Sequence, residues 1–259
     1  MKTIDQLTKD DLKGIKLLCF DCDGVTVKEG TKIVESGNRL EITSFPLESS
    51  MVAKLQQLKK QFFLVFSSGR SLLHLSRIYE PILWNGVALQ AEVGLFTLYQ
   101  GQVLQLGEFT SAFLEKSTRI RSRIRQLSST NSDIVGFEPK QFLISVHCRG
   151  QQVELEEIVR QEDPEKQYYC LWSGEAYDIG PKQFNKGTGL KFLLDRMALS
   201  FDNVLAVGND PNDQEMVESA GISVTTDPTS VIRGADFVSN QKFEAGGQEI
   251  VDRLLELIK

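Results

Sequence analysis

Residues 15–20 form a strand-length run, apolar but for Lys16, that stops at Asp21-Cys22-Asp23-Gly24. A strand without polar alternation is buried on both faces, as in a parallel sheet covered by helices. Met51, Val52, Leu55, Leu58 and Phe62 then recur at helical spacing and predict a helix on that sheet. A second apolar strand at 62–66 ends in Ser67-Ser68-Gly69-Arg70, and 71–79 reads as another helix. Strand, helix, strand, helix is the βαβ pattern. The end of the chain repeats it. A helix at 187–198 carries Leu190, Leu193, Leu194 and Met197 on one face, and a strand at 204–207 stops at Gly208-Asn209-Asp210. A helix at 214–220, strands at 222–224 and 235–238 and a closing amphipathic helix at 248–258 follow. Both chain ends are therefore assigned to one α/β, doubly wound parallel sheet.

The middle of the chain has a different rhythm. Residues 111–127 read as a helix striped by Phe113, Ile120, Ile124 and Leu127, 142–148 alternates like a half-buried strand, and 153–159 looks helical. Strands at 168–172 and 176–179 are joined at Ser173-Gly174-Glu175. This predicts a core of 1–105 and 183–259 interrupted by an α+β insert at 106–182, a separate lid-like domain. Within its first helix Lys116, Arg119, Arg121, Arg123 and Arg125 form a basic run. Such a run reads as a solvated face, with docking of an anionic substrate or partner as the alternative.

Composition narrows the chemistry. The 29 Lys plus Arg against 35 Asp plus Glu leave a net charge of −6, which disfavours nucleic acid as partner. His74 and His147 are the only two histidines, so no HExxH zinc site or histidine cluster exists. Cys19 and Cys22 have C-x-x-C spacing, but Cys19 lies inside the apolar strand and no second pair follows; free thiols are the better reading. The charged N-terminus carries no apolar signal region, and no window approaches a membrane span. The expectation is a cytoplasmic protein, away from membranes.

In doubly wound sheets the functional loops lie beyond the carboxyl ends of the strands. Here those ends carry Asp21 and Asp23, then Ser68, then Asp210 and Asp213. Converging carboxylates repel, and a divalent cation is the natural resolution. Oxygen donors with few histidines point to magnesium. A carboxylate cluster with a hydroxyl and a lysine suits phosphoryl transfer. One aspartate can attack phosphorus, and a second, two residues on, can shuttle the proton. Lys186, at a helix start in Asn185-Lys186-Gly187, adds positive charge, while Ser68 and the amides beside Gly69 can hold phosphate oxygens.

The set Asp21-Cys22-Asp23-Gly24-Val25, Ser68-Gly69-Arg70, Lys186-Gly187 and Gly208-Asn209-Asp210-Pro211-Asn212-Asp213 resembles the four motifs of the haloacid dehalogenase (HAD) superfamily of phosphatases. The resemblance spans nearly the whole chain and implies a Rossmann-like core with an inserted α/β cap. It makes Asp21 the nucleophile, Asp23 the general acid/base, Ser68 and Lys186 the phosphate-binding groups, and Asp213 a magnesium ligand. Asp21, Asp23, Asn209, Asp210 and Asp213 are the metal-site candidates, with Gly69 and Arg70 beside the substrate. Asn209 stands where the family usually has an acid, which removes a charge from the metal site.

Glu138-Pro139-Lys140, followed by Ser145, His147 and Arg149, is similar to the cap stretch of trehalose-phosphate phosphatases. Ala91-Glu92-Val93-Gly94 is similar to their Ala-Glu-His-Gly, and Asp178-Ile179-Gly180-Pro181 to their Glu-x-Arg-Pro, with Val93, Asp178 and Gly180 as departures. Glu138, Lys140 and Asp178 are thus candidates for binding sugar hydroxyls. His147 reads equally well as a packed histidine.

The expectation is a magnesium-dependent phosphatase for trehalose 6-phosphate or a related sugar phosphate. It would act through an aspartyl-phosphate with cap closure over the site, as a monomer or small homo-oligomer. The alternatives are a sugar-phosphate sensor or regulatory subunit, motivated by Asn209, and a sugar phosphomutase.

Overall fold

In the computed structural model, residues 1–36, 38–227, 229 and 232–259 are described. The strands are β1 Lys2–Thr3, β2 Leu17–Asp21, β3 Thr31–Ser36, β4 Arg39–Ser44, β5 Phe63–Ser67, β6 Val87–Ala91, β7 Phe96–Tyr99 and β8 Gln102–Gln105. They continue as β9 Ile134–Glu138, β10 Ile144–Cys148, β11 Tyr168–Trp172, β12 Ala176–Pro181, β13 Val204–Gly208, β14 Ile222–Thr225 and β15 Phe237–Val238. The α-helices are α1 Ser49–Leu58, α2 Leu72–Tyr79, α3 Ser111–Ser128, α4 Val153–Glu162, α5 Lys186–Arg196, α6 Gln214–Ser219 and α7 Phe243–Leu257.

The chain divides into two units: 1–29, 45–106 and 185–259 form the first, and 30–44 with 107–184 the second. The first unit holds a sheet of order β1-β15-β14-β13-β2-β5-β6-β7-β8. Its members from β1 to β6 pair in parallel, and β7 and β8 continue it antiparallel. As the apolar run predicts, β2 is buried at every residue. Leu17 and Cys19 face a core shared with Leu190, Leu193 and Leu194 of α5 and Met216 of α6. On the opposite face Phe20 lies 6.0 Å from Phe66, which stacks at 4.0 Å on Tyr79 of α2. From β2 the chain proceeds outward through β5 and β6, and later through β13, β14 and β15 on the other side, so the winding switches between β2 and β13. That switch is where a doubly wound sheet opens a crevice at its carboxyl ends.

The second unit is a sheet of order β11-β12-β10-β9 together with the β3–β4 hairpin. Two expectations are corrected here. Residues 30–44, assigned to the core by their place between core elements, group with the second unit, because Glu35 ties to it: Arg125 Nη1 donates to its carboxylate at 2.9 Å and the Phe137 amide at 3.4 Å. β10 is buried at all five residues and not half-exposed, being a central strand flanked by β9 and β12. Ile144, Val146 and Cys148 join the core with Ile120, Ile124 and Leu155, while Ser145 and His147 point to the other face.

The basic run of α3 is engaged inside this unit. Lys116 pairs with Asp163 at 2.8 Å, Arg119 and Arg123 share Glu162 at 2.9 and 3.0 Å, and Arg121 donates to the Leu143 carbonyl. With Arg125 on Glu35, the cations hold neighbouring elements. All four cysteines are free, and among the described residues no helix is long and apolar enough to cross a membrane.

Candidate active site

Strand register brings the first site residues together. Asp21, the last residue of β2, pairs across from Ser67 of β5, and Phe20 pairs with Val207 of β13, so the three polar loops leave the sheet side by side. Lys186 is the first residue of α5. Its position is set by a reciprocal cap in which Asn185 Oδ1 accepts from the Thr188 amide at 2.8 Å and the Asn185 amide donates to Thr188 Oγ1 at 3.0 Å.

The Lys186 ammonium is fully buried and donates to Asp21 Oδ1 and Asp213 Oδ1, both at 2.6 Å. The other Asp213 oxygen accepts from the amides of Asn209 and Asp210 at 3.0 and 3.1 Å. Burial, then the neighbouring Asp213 charge, pushes the Asp21 carboxyl well above the usual range, and Lys186 opposes this. Burial disfavours the Lys186 ammonium, but the two carboxylates outweigh it and raise its pKa. Asp23 is held by Arg70, whose Nε and Nη2 meet its two oxygens at 2.7 and 2.5 Å. Arg70 Nη1 also contacts the His74 ring.

Ser68 is buried, and its Oγ accepts from the Arg70 amide at 3.1 Å, which shapes the turn through Gly69. The 91–94 loop braces this turn: the Glu92 amide donates to the Arg70 carbonyl and the Val93 amide to the Ser68 carbonyl, both at 2.9 Å. Glu92, Val93 and Gly94 all have positive φ, and a Cβ on Gly94 would lie 2.6 Å from Gly189 Cα, so loop and α5 meet backbone to backbone.

Sequence reasoning expected a divalent ion to relieve the carboxylate cluster. In the structure protein cations do so first: Lys186 between Asp21 and Asp213, and Arg70 on Asp23. Among the described residues no three His, Cys, Asp or Glu side chains stand arranged as a ready metal cage. The donor chemistry nevertheless suits a hard cation: Asn209 is 3% exposed, and its buried Oδ1 lacks a hydrogen-bond partner among the described residues. Asp210 adds a carboxyl raised by burial and by Asp213.

Two contributors escaped the sequence reading. Glu29 Oε1 accepts from Asn209 Nδ2 at 2.9 Å, and burial followed by the charges of Asp210, Asp23 and Glu244 pushes its carboxyl up to about 6. Thr26 Oγ1 meets the Asp21 carbonyl at 3.1 Å and the Tyr79 hydroxyl at 2.6 Å, anchoring the loop after β2. No spacing rule marks these residues; only the nearness of 26 and 29 to Asp21 and Asp23 in the chain hinted at them.

The second unit gathers its own polar row. Ser145 pairs with Glu138 on one side and Asp178 on the other, so these three share a face. Lys140 Nζ donates to Asp178 at 2.8 Å and lies 3.7 Å from Glu138, and His147 Nε2 is 3.8 Å from the same Glu138. The Lys140 side chain is only 2% exposed. Lys140 and Glu138 are thus drawn largely out of solvent, with Asp178 31% exposed at the edge of the row.

Comparison with known proteins shows similarity in sequence and in fold. The chain spans 36% of the length of phosphoglycolate phosphatase from Methanoculleus marisnigri, at 36% identity over 85 residues, or 32% of this chain. The same-named protein of Methanobrevibacter smithii is 27% identical over 85 residues, again 36% of its length. The fold is shared with the C-terminal domain of C. albicans trehalose-6-phosphate phosphatase (TM-score 0.71, 18% identity, 99% of this chain and 97% of that one). It is shared also with a haloacid dehalogenase-like hydrolase from B. subtilis (TM-score 0.66, 16% identity, 95% and 100%). The sequence model of haloacid dehalogenase-like hydrolases matches residues 109–246, more than half of the 259. The chain therefore belongs to the haloacid dehalogenase-like hydrolase family.

Proposed function

We propose that this protein is a magnesium-dependent phosphatase that hydrolyses a sugar phosphate through an aspartyl-phosphate on Asp21. The observation that carries the reading is the buried Lys186 bridge between Asp21 and Asp213, with Asp23 two residues from the nucleophile. An Asp21 oxygen attacks phosphorus while the phosphorus–oxygen bond to the sugar breaks, and Asp23 gives its proton to the departing oxygen. Asp23, now a carboxylate, takes a proton from water as that water attacks phosphorus. The bond to Asp21 breaks and inorganic phosphate leaves. To carry a proton, Asp23 needs one oxygen released from the two-armed grip of Arg70. Lys186 and the Ser68-Gly69 turn balance phosphate charge throughout. Asp21, Asp23, Asn209, Asp210 and Asp213 are the residues that would hold magnesium, which when bound supplies charge neutralisation for the nucleophile and phosphate.

The Glu138, Lys140 and Asp178 row supports a sugar as the rest of the substrate. It offers two carboxylates against one ammonium, which suits neutral hydroxyls and disfavours a second anionic group. The relatives named phosphoglycolate phosphatase favour a second reading, a small phosphorylated hydroxy acid. Phosphate release from disaccharide phosphates, monosaccharide phosphates and 2-phosphoglycolate, with and without magnesium, separates the two. The expected result is magnesium-dependent release from a sugar phosphate, abolished by Asp21→Asn, with Lys140→Ala raising KM more than it lowers kcat. Preference for 2-phosphoglycolate, unaffected by Lys140→Ala, selects the second reading, and no release from any compound overturns both.

A further inference from the structure

We propose that Glu29 is a positioning residue of the cation site, gripping the amide of Asn209 so that its oxygen serves as a neutral ligand, and restoring the negative charge that an asparagine at 209 omits. The inference rests on the metal-dependent reading above. Asn209 follows β13, its backbone amide donating to Asp213 at 3.0 Å and its Nδ2 to Glu29 at 2.9 Å. A side-chain amide has one donating and one accepting end. Turned over, Asn209 would set its oxygen against the Glu29 carboxylate, two acceptors in contact. Glu29 therefore decides which way the amide faces, and the end it leaves over is Oδ1, buried and without a hydrogen-bond partner among the described residues. Leaving a buried acceptor unmatched is costly, and an electropositive ligand is what it calls for.

The pair is pressed onto the first motif. A Cβ on Gly24 would strike Glu29 Oε1 and lie 2.6 Å from Asn209 Nδ2, and Gly24 has φ +71, so glycine meets both demands. Glu29 and Asn209 thus lie against the backbone one residue beyond Asp23. The two halves of the acidic cluster then differ in kind. Asp21 and Asp213 already share the Lys186 ammonium, whereas the Glu29 carboxylate, among the described residues, accepts from the Asn209 amide and meets no cation. Oxygen donors that combine an amide carbonyl with carboxylates are what a hard divalent ion selects, and partners behind the ligands set their orientation.

The test measures binding of Mn2+ alone to the full metal-free chain, by the loss of the free-ion electron paramagnetic resonance signal, with no substrate present. Glu29→Gln keeps an acceptor but removes the charge, and its Kd should rise about tenfold. Glu29→Ala removes both and should raise Kd further. Asn209→Asp in the Glu29→Gln background returns the charge at the ligand itself and should recover the affinity. In the otherwise unchanged chain Asn209→Asp sets two carboxylates in contact, so the metal-free protein should melt lower and regain its Tm on adding Mn2+. Folded Glu29 variants that bind Mn2+ as tightly as the parent overturn the inference alone. A parent chain that binds no Mn2+ overturns it together with the metal-dependent reading.

Discussion

Lys186 ties two carboxylates at the ends of the sheet's strands to one buried ammonium. Its ammonium lies in a dry site between Asp21 and Asp213, so Lys186→Met leaves two buried carboxylates facing each other. Breaking such an arrangement from one side costs about 3–5 kcal/mol, which urea unfolding of the metal-free variant should report. Asp23→Asn, by contrast, keeps one acceptor for the nearly buried Arg70 and sits at a partly exposed position, so it should cost less stability than Lys186→Met. If Asp23 is the proton shuttle, kcat for the preferred substrate should fall by about 10²–10⁴-fold. Asp21, Asp23, Lys186 and Asp213 were legible in the sequence because each lies next to an apolar strand or a helix start. The Arg70 grip on Asp23 and the Glu29 grip on Asn209 were not, since each joins loops that are neighbours only after the sheet has formed.

Between elements the decisive contacts are close approaches. Where α5 meets the 91–94 loop, Gly189 and Gly94 touch through their backbones, so Gly189→Ala must push the helix away from the loop that braces Ser68 and Arg70. Overpacking of this kind costs about 1–3 kcal/mol, seen as a lower Tm, and moves Lys186 with its helix. The β3–β4 hairpin is held differently, by Glu35. Arg125 keeps the Glu35 carboxyl below its ordinary 4.5, so the pairing is complete above 4.5 and is lost as pH falls through the lowered value. The pair is largely exposed, so its contribution stays under about 1 kcal/mol. Protection factors across residues 31–44, with the intrinsic slowing of exchange in acid divided out, should therefore fall modestly on acidification below 4.5, and Arg125→Gln should weaken that pH dependence. The helices and parallel strands could be read in advance from apolar period, and their ends shifted by a few residues, most at α7, which starts at Phe243 where 248 was expected. The hairpin carried no such signal because Val34, Leu40 and Ile42 stay exposed and only alternate residues of β3 are covered.

At the level of the molecule, the second unit is assembled from two stretches of chain, 30–44 and 107–184. Residues 107–184 expressed alone lack the hairpin, leaving Gly136 of β9 without Ile33 and Glu35 against it. That fragment should unfold at lower urea than one in which 30–44 is joined to it by a flexible linker; equal midpoints would show that the hairpin adds nothing. An inserted α+β unit was readable from the change of rhythm near 106, since periodicity is local and survives in one dimension. So were the doubly wound core and the acids at its strand ends, because buried parallel strands need uninterrupted apolar runs and the residues that stop those runs must lie at the sheet's carboxyl edge. Contacts between segments far apart in the chain had to wait for the fold: the hairpin joined to the second unit, the charged row of Glu138, Lys140 and Asp178, and the cations that neutralise the acids at the strand ends. They depend on which loops arrive side by side and how their charges balance at 3 Å or less, and that balance is a property of three-dimensional packing to which linear spacing has no access.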